Sequence, residues 1–231
     1  MDYKQLSRIL EKNINDNLYN NIGKLPTEDE IIEDYNSTRY SVRKAINILI
    51  DKGLVYSVQG SGVFIRKNIK NDYINISFDY GYTGLKNKYP DKKVEYKLIN
   101  LAIIESQEEI ANKMLCEVGK KLYYIIRLIK IDGNFFAVEY TYYDKDVVVY
   151  LNKEIIEDSI FKYIQNVLNV KIGFSDRIVY CEKLNSYDAK LLNLSRNSPS
   201  LVNENLNYLK NGNIFNFSKI IYNYKYTKLL I

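Results

Sequence analysis

Histidine is missing from all 231 residues. That absence removes every catalytic arrangement built on an imidazole, every His-ligated metal and any histidine pH switch. Tryptophan is absent too, and cysteine is reduced to Cys116 and Cys181, with no Cys-x-x-Cys spacing. Both thiols are expected to be small buried hydrophobes in a reducing compartment, so no disulfide, metal or other cofactor is predicted. No apolar run approaches the roughly 18 residues of a membrane span. Met1 leads into polar, charged sequence instead of an apolar leader, which predicts a cytoplasmic protein without a membrane partner.

What remains is ordinary for a folded chain: 46% hydrophobic and 26% charged residues, which argues against disorder and collagen-like repeats. The length suits two domains, each with its own core. The 23 tyrosines accompany abundant Ile, Asn and Lys and are not read as a stacking signal. A net charge of +5 is too small for a binder that works by bulk charge, but its distribution is uneven. Residues 1–35 carry 4 basic and 8 acidic side chains, whereas residues 36–67 carry 6 basic and 1 acidic.

Apolar positions at Leu6, Ile9, Leu10, Ile14 and Leu18 predict one buried helix face over residues 3–20. Thr27 with Glu30 three residues on predicts a capping box and a short second helix with Ile31, Ile32 and Tyr35. After a turn at Asn36-Ser37, Val42, Ala45, Ile46 and Leu49 bury a third helix that ends at Gly53. Two β-rich runs, Leu54 to Val58 and Val63 to Arg66, then flank Gln59-Gly60-Ser61-Gly62. Three helices and a hairpin predict a winged helix-turn-helix over residues 1–68, a linker at 69–72 and a second domain over 73–231.

The second domain reads as α+β with an internal duplication. A helix at 108–115, a strand at 122–131, an Asp132-Gly133 turn and a strand at 135–143 recur as a helix at 187–194, a strand at 201–209, an Asn211-Gly212 turn and a strand at 214–222. Gly133 and Gly212 lie 79 residues apart, and Asn134-Phe135-Phe136 returns as Asn213-Ile214-Phe215 at that offset. Both turns read as two-residue hairpin turns of type I′, and the domain as a pseudo-symmetric antiparallel sheet. Between the copies Ile155, Ile156, Ile160, Ile164, Val167 and Leu168 predict one helix covering a sheet face.

Arg39 and Arg43, four residues apart, share the face of the third helix opposite Val42 and Ile46. The N-terminal residues of such a helix reach base edges in the major groove, where a planar guanidinium grips guanine O6 and N7. Thr38 and Ser41 suit phosphate oxygens, and the Gln59-Gly60-Ser61-Gly62 wing lets backbone approach DNA, with Arg66 and Lys67 behind it. The alternative is a solvated basic helix face. The wing is not a dinucleotide fingerprint, since no third glycine follows and no strand-to-helix transition occurs.

Leu25-Pro26-Thr27-Glu28, Ser37 through Ile46, Lys52-Gly53-Leu54-Val55 and Gly60 through Ile65 resemble the DNA-binding domain of GntR-family transcription regulators. The remainder resembles the UTRA effector domain of the HutC subfamily, which implies a chorismate-lyase-like fold, a homodimer on double-stranded operator DNA, and a small effector such as a phosphorylated sugar. The resemblance implies operator contacts for Thr27, Thr38, Arg39, Tyr40, Ser41, Arg43, Gln59, Gly60, Ser61 and Arg66. Two positions depart from it: Asp29 stands where many relatives have a DNA-touching Arg, and Tyr40 where Thr or Met is usual.

For the effector, the resemblance implies Gly81, Tyr82 and Thr83 in an anion-holding loop, with Arg127, Glu139, Ser175, Ser218 and Tyr222 in the pocket. A second Arg of the family motif is Ile129 in this chain. Structural alternatives stay open for these residues, a salt bridge for Arg127 and a cross-strand pair for Glu139. The competing functions are an enzyme acting on a small anionic substrate and a nucleic-acid binder indifferent to sequence.

Overall fold

The computed structural model describes the chain apart from residues 20–21, 67–73, 76–84, 87–91 and 231. The expected linker at 69–72, Lys67, and Gly81, Tyr82 and Thr83 lie outside the described residues. Two compact units are present, Met1–Asp79 with Leu230–Ile231, and Tyr80–Leu229.

In the first unit, α1 (Tyr3–Asn15) starts at Asp2, whose side chain accepts the Lys4 N–H. α2 (Glu28–Tyr35) starts at Thr27 in a complete capping box and stops at Asn36, whose φ of 44° places it in the left-handed region. α3 (Arg39–Asp51) starts at Thr38, which accepts from the Ser41 N–H. Leu6, Leu10, Leu25, Ile31, Val42, Ala45, Ile46, Leu49 and Val55 form one core, and a hairpin of β1 (Val55–Val58) and β2 (Gly62–Ile65) completes the winged helix. The first helix ends earlier than its apolar spacing suggests. Asn17 has a φ of 60°, which breaks the helix, and Leu18 is 65% exposed.

Ile74–Asn75 (β3) is a two-residue strand. The second unit then runs β4 (Val94–Glu105), α4 (Glu108–Met114), β5 (Lys121–Ile131), β6 (Asn134–Asp144), α5 (Lys153–Glu157), α6 (Ile160–Asn166), β7 (Ile172–Lys183), α7 (Ser186–Leu191), β8 (Pro199–Leu209) and β9 (Ile214–Asn223); a short β10 (Leu229–Leu230) follows it. Six strands form one antiparallel sheet in the order β4-β5-β6-β9-β8-β7. Tyr123, Ile125 and Tyr143 bury one sheet face, here the inner face, under Ile156, Ile160 and Ile164. The other face is covered by α7, through Ala189 packing with Val138, Val202 and Ile221, and by α4, through Met114 packing with Leu122 and Phe217.

Each half is a strand, a helix and a hairpin, so the duplication read from residues 108 and 187 onward is a true structural repeat, with β4 and β7 as its first strands. In the central pair Glu139 faces Ile220 and Thr141 faces Ser218. Adding 79 to one member of the first pair and subtracting it from the other gives the second pair, which is the register a two-fold axis between β6 and β9 requires.

The two hairpins differ, however. Asp132 (φ 51°) and Gly133 (φ 79°) both have positive φ, as a type I′ turn demands, and the loop is those two residues. At the second turn Gly212 alone is positive (φ 86°), its N–H bonds to the Leu209 carbonyl at 3.0 Å, and Leu209 N–H bonds to Asn213 at 2.8 Å. That is a three-residue loop with the glycine in the bulge position, which corrects the two-residue turn expected at Asn211-Gly212. The added residue shifts β8 by one relative to β5. The repeat partner of Arg127, which faces Glu139, is therefore Asn205, which faces Ser218.

Two further expectations change. The single helix expected from Ile155 to Leu168 is two helices, because the Ser159 side chain caps α6 by accepting the Lys162 N–H and interrupts the run; Val167 is exposed. Both cysteines are free, but neither is fully buried as expected: Cys116 is half-buried against the Met114, Leu122 and Phe217 cluster, and Cys181 is exposed.

Candidate functional site

The helix-turn-helix presents Arg39, Tyr40 and Arg43 to solvent while Val42 and Ile46 are buried, the division that the apolar spacing predicts. Neither arginine is unpaired. Asp29 Oδ1 lies 2.5 Å from Arg39 Nη2, Glu28 Oε2 lies 3.6 Å from Arg39 Nη1, and the Glu28 carboxylate takes Arg43 Nε at 3.0 and 3.1 Å. Lys44 lies over the rings of Tyr40 (5.1 Å) and Tyr3 (4.8 Å), linking α3 to the start of α1.

The hydroxyls at this end of the motif are engaged locally. Thr27 Oγ1 donates to Glu30 Oε2 at 2.8 Å and accepts the Glu30 N–H at 3.3 Å, while Thr38 Oγ1 donates to Ser41 Oγ at 3.2 Å. The Glu30 carboxyl is held below its usual range by the Thr27 backbone N–H first and the Thr27 hydroxyl second. In the wing, Gly60 (φ 75°) and Gly62 (φ 114°) adopt backbone that favours glycine, and a Cβ on either would meet nothing within 4 Å. Gln59, Ser61 and Arg66 are exposed, and the Arg66 N–H bonds to the Leu54 carbonyl at 3.0 Å.

In the second unit cross-strand partners share a sheet face, so the register fixes which side chains meet. Arg127, Glu139, Ile220 and Asn203 form one row; Ile125, Thr141, Ser218 and Asn205 the next; Tyr123, Tyr143, Asn216, Asn207 and Ser175 a third. Ala137 and Tyr222 belong to the row on the other side of Arg127. Arg127, Glu139, Ser175, Ser218 and Tyr222 thus all stand on the inner face.

Arg127 and Glu139 form a buried ion pair through Nε and Oε2. Arg127 Nη1 also donates to the Ile156 carbonyl of α5 at 2.9 Å, and its guanidinium lies 4.5 Å over the Tyr96 ring. Burial works against the arginine's charge, but the Glu139 carboxylate outweighs it and holds the guanidinium above the usual range. Burial also pushes the phenols of Tyr96 and Tyr143 up. Ser218 Oγ accepts from Asn205 at 3.2 Å, and Tyr222 packs edge-on against Phe136.

Sequence reasoning missed the amides around these residues. Asn207 Nδ2 donates to Asn216 Oδ1 at 2.5 Å, and Asn216 Nδ2 to Thr141 Oγ1 at 2.7 Å, a polar chain across three strands. Asn203, 7% exposed, keeps a buried Oδ1 that has no partner among the described residues. The signal was present as Asn203-x-Asn205-x-Asn207, a period-2 run of residues that strands ordinarily disfavour.

A winged helix with a basic recognition face, joined to a sheet domain with a buried polar face, defines a DNA-binding regulator. The chain matches the family described as "Bacterial regulatory proteins, gntR family" over residues 2–65 and the "UTRA domain" over residues 91–228. The HTH-type transcriptional regulator YydK of Bacillus subtilis is 32% identical over 231 residues, covering 100% of this chain and 97% of that protein. Its crystal structure superposes with a TM-score of 0.82 at 31% identity, over 100% and 98% of the two chains. GmuR of the same organism is 27% identical over 94% of this chain and 91% of its own. PhnF of Mycobacterium smegmatis, at 16% identity and a TM-score of 0.60 over 90% and 91%, shares the fold.

The chain belongs to the GntR family of bacterial regulators and carries a UTRA domain. It is a transcription regulator, not an enzyme. Among the described residues no helix is long and apolar enough to cross a membrane.

Proposed function

We propose that this regulator is a cytoplasmic repressor of the HutC type, whose hold on its operator is set by a small hydroxyl-rich metabolite, a sugar or sugar phosphate, bound over the inner sheet face. Residues 1–68 bind the operator, residues 73–231 bind the metabolite and a second copy of the chain, and the segment at 69–72 absorbs the reorientation between them. A homodimer presents two recognition helices to a two-fold operator, and ligand favours one arrangement of that dimer over the other.

The observation that carries the reading is the buried Asn203 Oδ1, without a partner among the described residues, in the row of Arg127 and Glu139. A buried acceptor without a donor is costly, and a ligand hydroxyl would satisfy it. Arg127 is engaged by Glu139 and Ile156, which favours hydroxyl recognition over a phosphate clamp at this row. A relative named for a carbohydrate system supports the class: MngR of Escherichia coli is the repressor of a mannosyl-D-glycerate transport and metabolism system, and NagR of Bacillus subtilis is likewise a transcriptional repressor.

The test is a panel of neutral sugars and sugar phosphates, read by thermal stabilisation and by the anisotropy of labelled operator duplex. One member should raise the melting temperature and change operator affinity, and Asn203→Leu should abolish both responses while leaving ligand-free operator binding intact. Equal operator affinity with and without every compound would sink the reading.

A further inference from the structure

The acidic first turn of α2 and the basic first turns of α3 form a four-residue surface cluster, and the atoms used by each arginine differ. Arg43 is gripped at Nε by both oxygens of Glu28, and no hydrogen bond among the described residues engages its two terminal nitrogens. Arg39 is held the other way round. Its two terminal nitrogens, the pair that would span guanine O6 and N7, face Glu28 and Asp29. Arg39 is therefore occupied where it would read a base, and Arg43 is presented.

All of these groups are in water: the side chains of Arg39, Arg43 and Asp29 are 55%, 62% and 76% exposed. Exposed ion pairs are weak and exchangeable. DNA can displace Asp29 from Arg39 only by offering something in return. A phosphate offers charge, but Asp29 then remains beside it and repels it. A guanine edge offers two acceptors matched to the freed fork and carries no full charge.

We propose that Asp29 is a specificity-determining residue. It masks the Arg39 fork so that phosphate alone does not release it and a correctly placed base does, and Glu28 is a positioning residue that aims Arg43 by holding its Nε. The inference rests on the sequence-specific reading above.

The experiment first recovers a preferred duplex from a random library on immobilised wild-type protein, then measures that duplex and a scrambled one by anisotropy across a salt series. Asp29→Asn should tighten the scrambled duplex about 3- to 10-fold at low salt and steepen its log–log salt dependence by about one unit, while tightening the preferred duplex less, so the discrimination ratio falls. Asp29→Glu should restore the ratio. Glu28→Gln also removes a carboxylate from beside Arg39, so it should tighten the scrambled duplex at low salt while weakening the preferred one about 3- to 10-fold. Melting curves check that each variant is folded, which the exposure of Asp29 favours. An equal gain on both duplexes, or no change from Asp29→Asn, overturns the masking role, and an unchanged preferred duplex with Glu28→Gln overturns the positioning role. Failure of the wild-type protein to select any duplex overturns the sequence-specific reading, and this proposal with it.

Discussion

Two arginine–carboxylate pairings among the described residues stand in opposite surroundings. In the winged helix, Arg39 and Arg43 meet Glu28 and Asp29 in solvent. In the sheet, Arg127 meets Glu139 with both side chains only 7% exposed. Coulomb attraction at the surface is screened and offset by side-chain entropy, so the contact is easily traded for DNA. In the interior the charges were desolvated on folding and water cannot readily replace either carboxylate or guanidinium, so the pair is fixed. Water, not residue type, decides which arginine can read a ligand and which braces the fold.

The largest effect expected from that contrast is at the buried pair. Glu139→Ala leaves the Arg127 cation uncompensated and should destabilise the second unit by ~3–5 kcal/mol in chemical denaturation. Replacing both residues by Leu should recover most of the loss, because an apolar pair removes the stranded charge along with the bridge. A Glu139→Ala loss under about 1 kcal/mol would break the contrast, since the pair would then behave as a solvated one.

Next comes the exposed pair, where the effect should move from stability to binding. Arg39→Ala is expected to weaken the selected duplex by ~1–3 kcal/mol and relax one base position, while unfolding stability shifts by no more than about 0.5 kcal/mol. Unchanged base preference would remove Arg39 from direct readout, and a large stability loss would make it a brace like Arg127.

The same division explains what was legible in the sequence. The three-helix core, the capping box at Thr27 and Glu30, the turn at Asn36 and the glycine turn of the wing follow from local rules of spacing and turn chemistry, and they stand where those rules put them. Arg127 and Glu139 were readable as a salt bridge or as ligand contacts, and register decides that they touch.

The asparagine chain was not read, because its residues come from β8 and β9 and join Thr141 of β6 only through long-range pairing. A constant 79-residue offset makes Leu206 the repeat counterpart of Arg127, whereas the extra loop residue at the second hairpin gives that place to Asn205. A slip of one residue reverses a strand's faces, and no local pattern announces it. β4 and β7, the outer strands of the sheet, carry their apolar residues less regularly and escaped assignment as well.

The smallest effect sharpens the contrast at Thr27, where one hydroxyl could serve a helix or a phosphate. Its oxygen already accepts from the Glu30 N–H and its proton already goes to the Glu30 carboxylate. Thr27→Ala should therefore lower stability by ~1 kcal/mol, the usual value of an N-cap, and leave the operator affinity of the folded protein unchanged. The loss should depend on pH. The Glu30 carboxyl is held below its ordinary value of 4.5 by the Thr27 N–H and hydroxyl, so its contribution is complete above that value and disappears as the pH falls through the depressed one. Wild-type and Thr27→Ala unfolding curves should accordingly draw closer as the pH falls through that depressed value, because protonation removes the carboxylate that accepts the Thr27 hydroxyl, while the part carried by the Glu30 N–H to Thr27 Oγ1 remains. A gap that does not narrow would take the carboxylate out of the cap's contribution, and an operator affinity that falls with the substitution would assign the hydroxyl to DNA as well as to the helix.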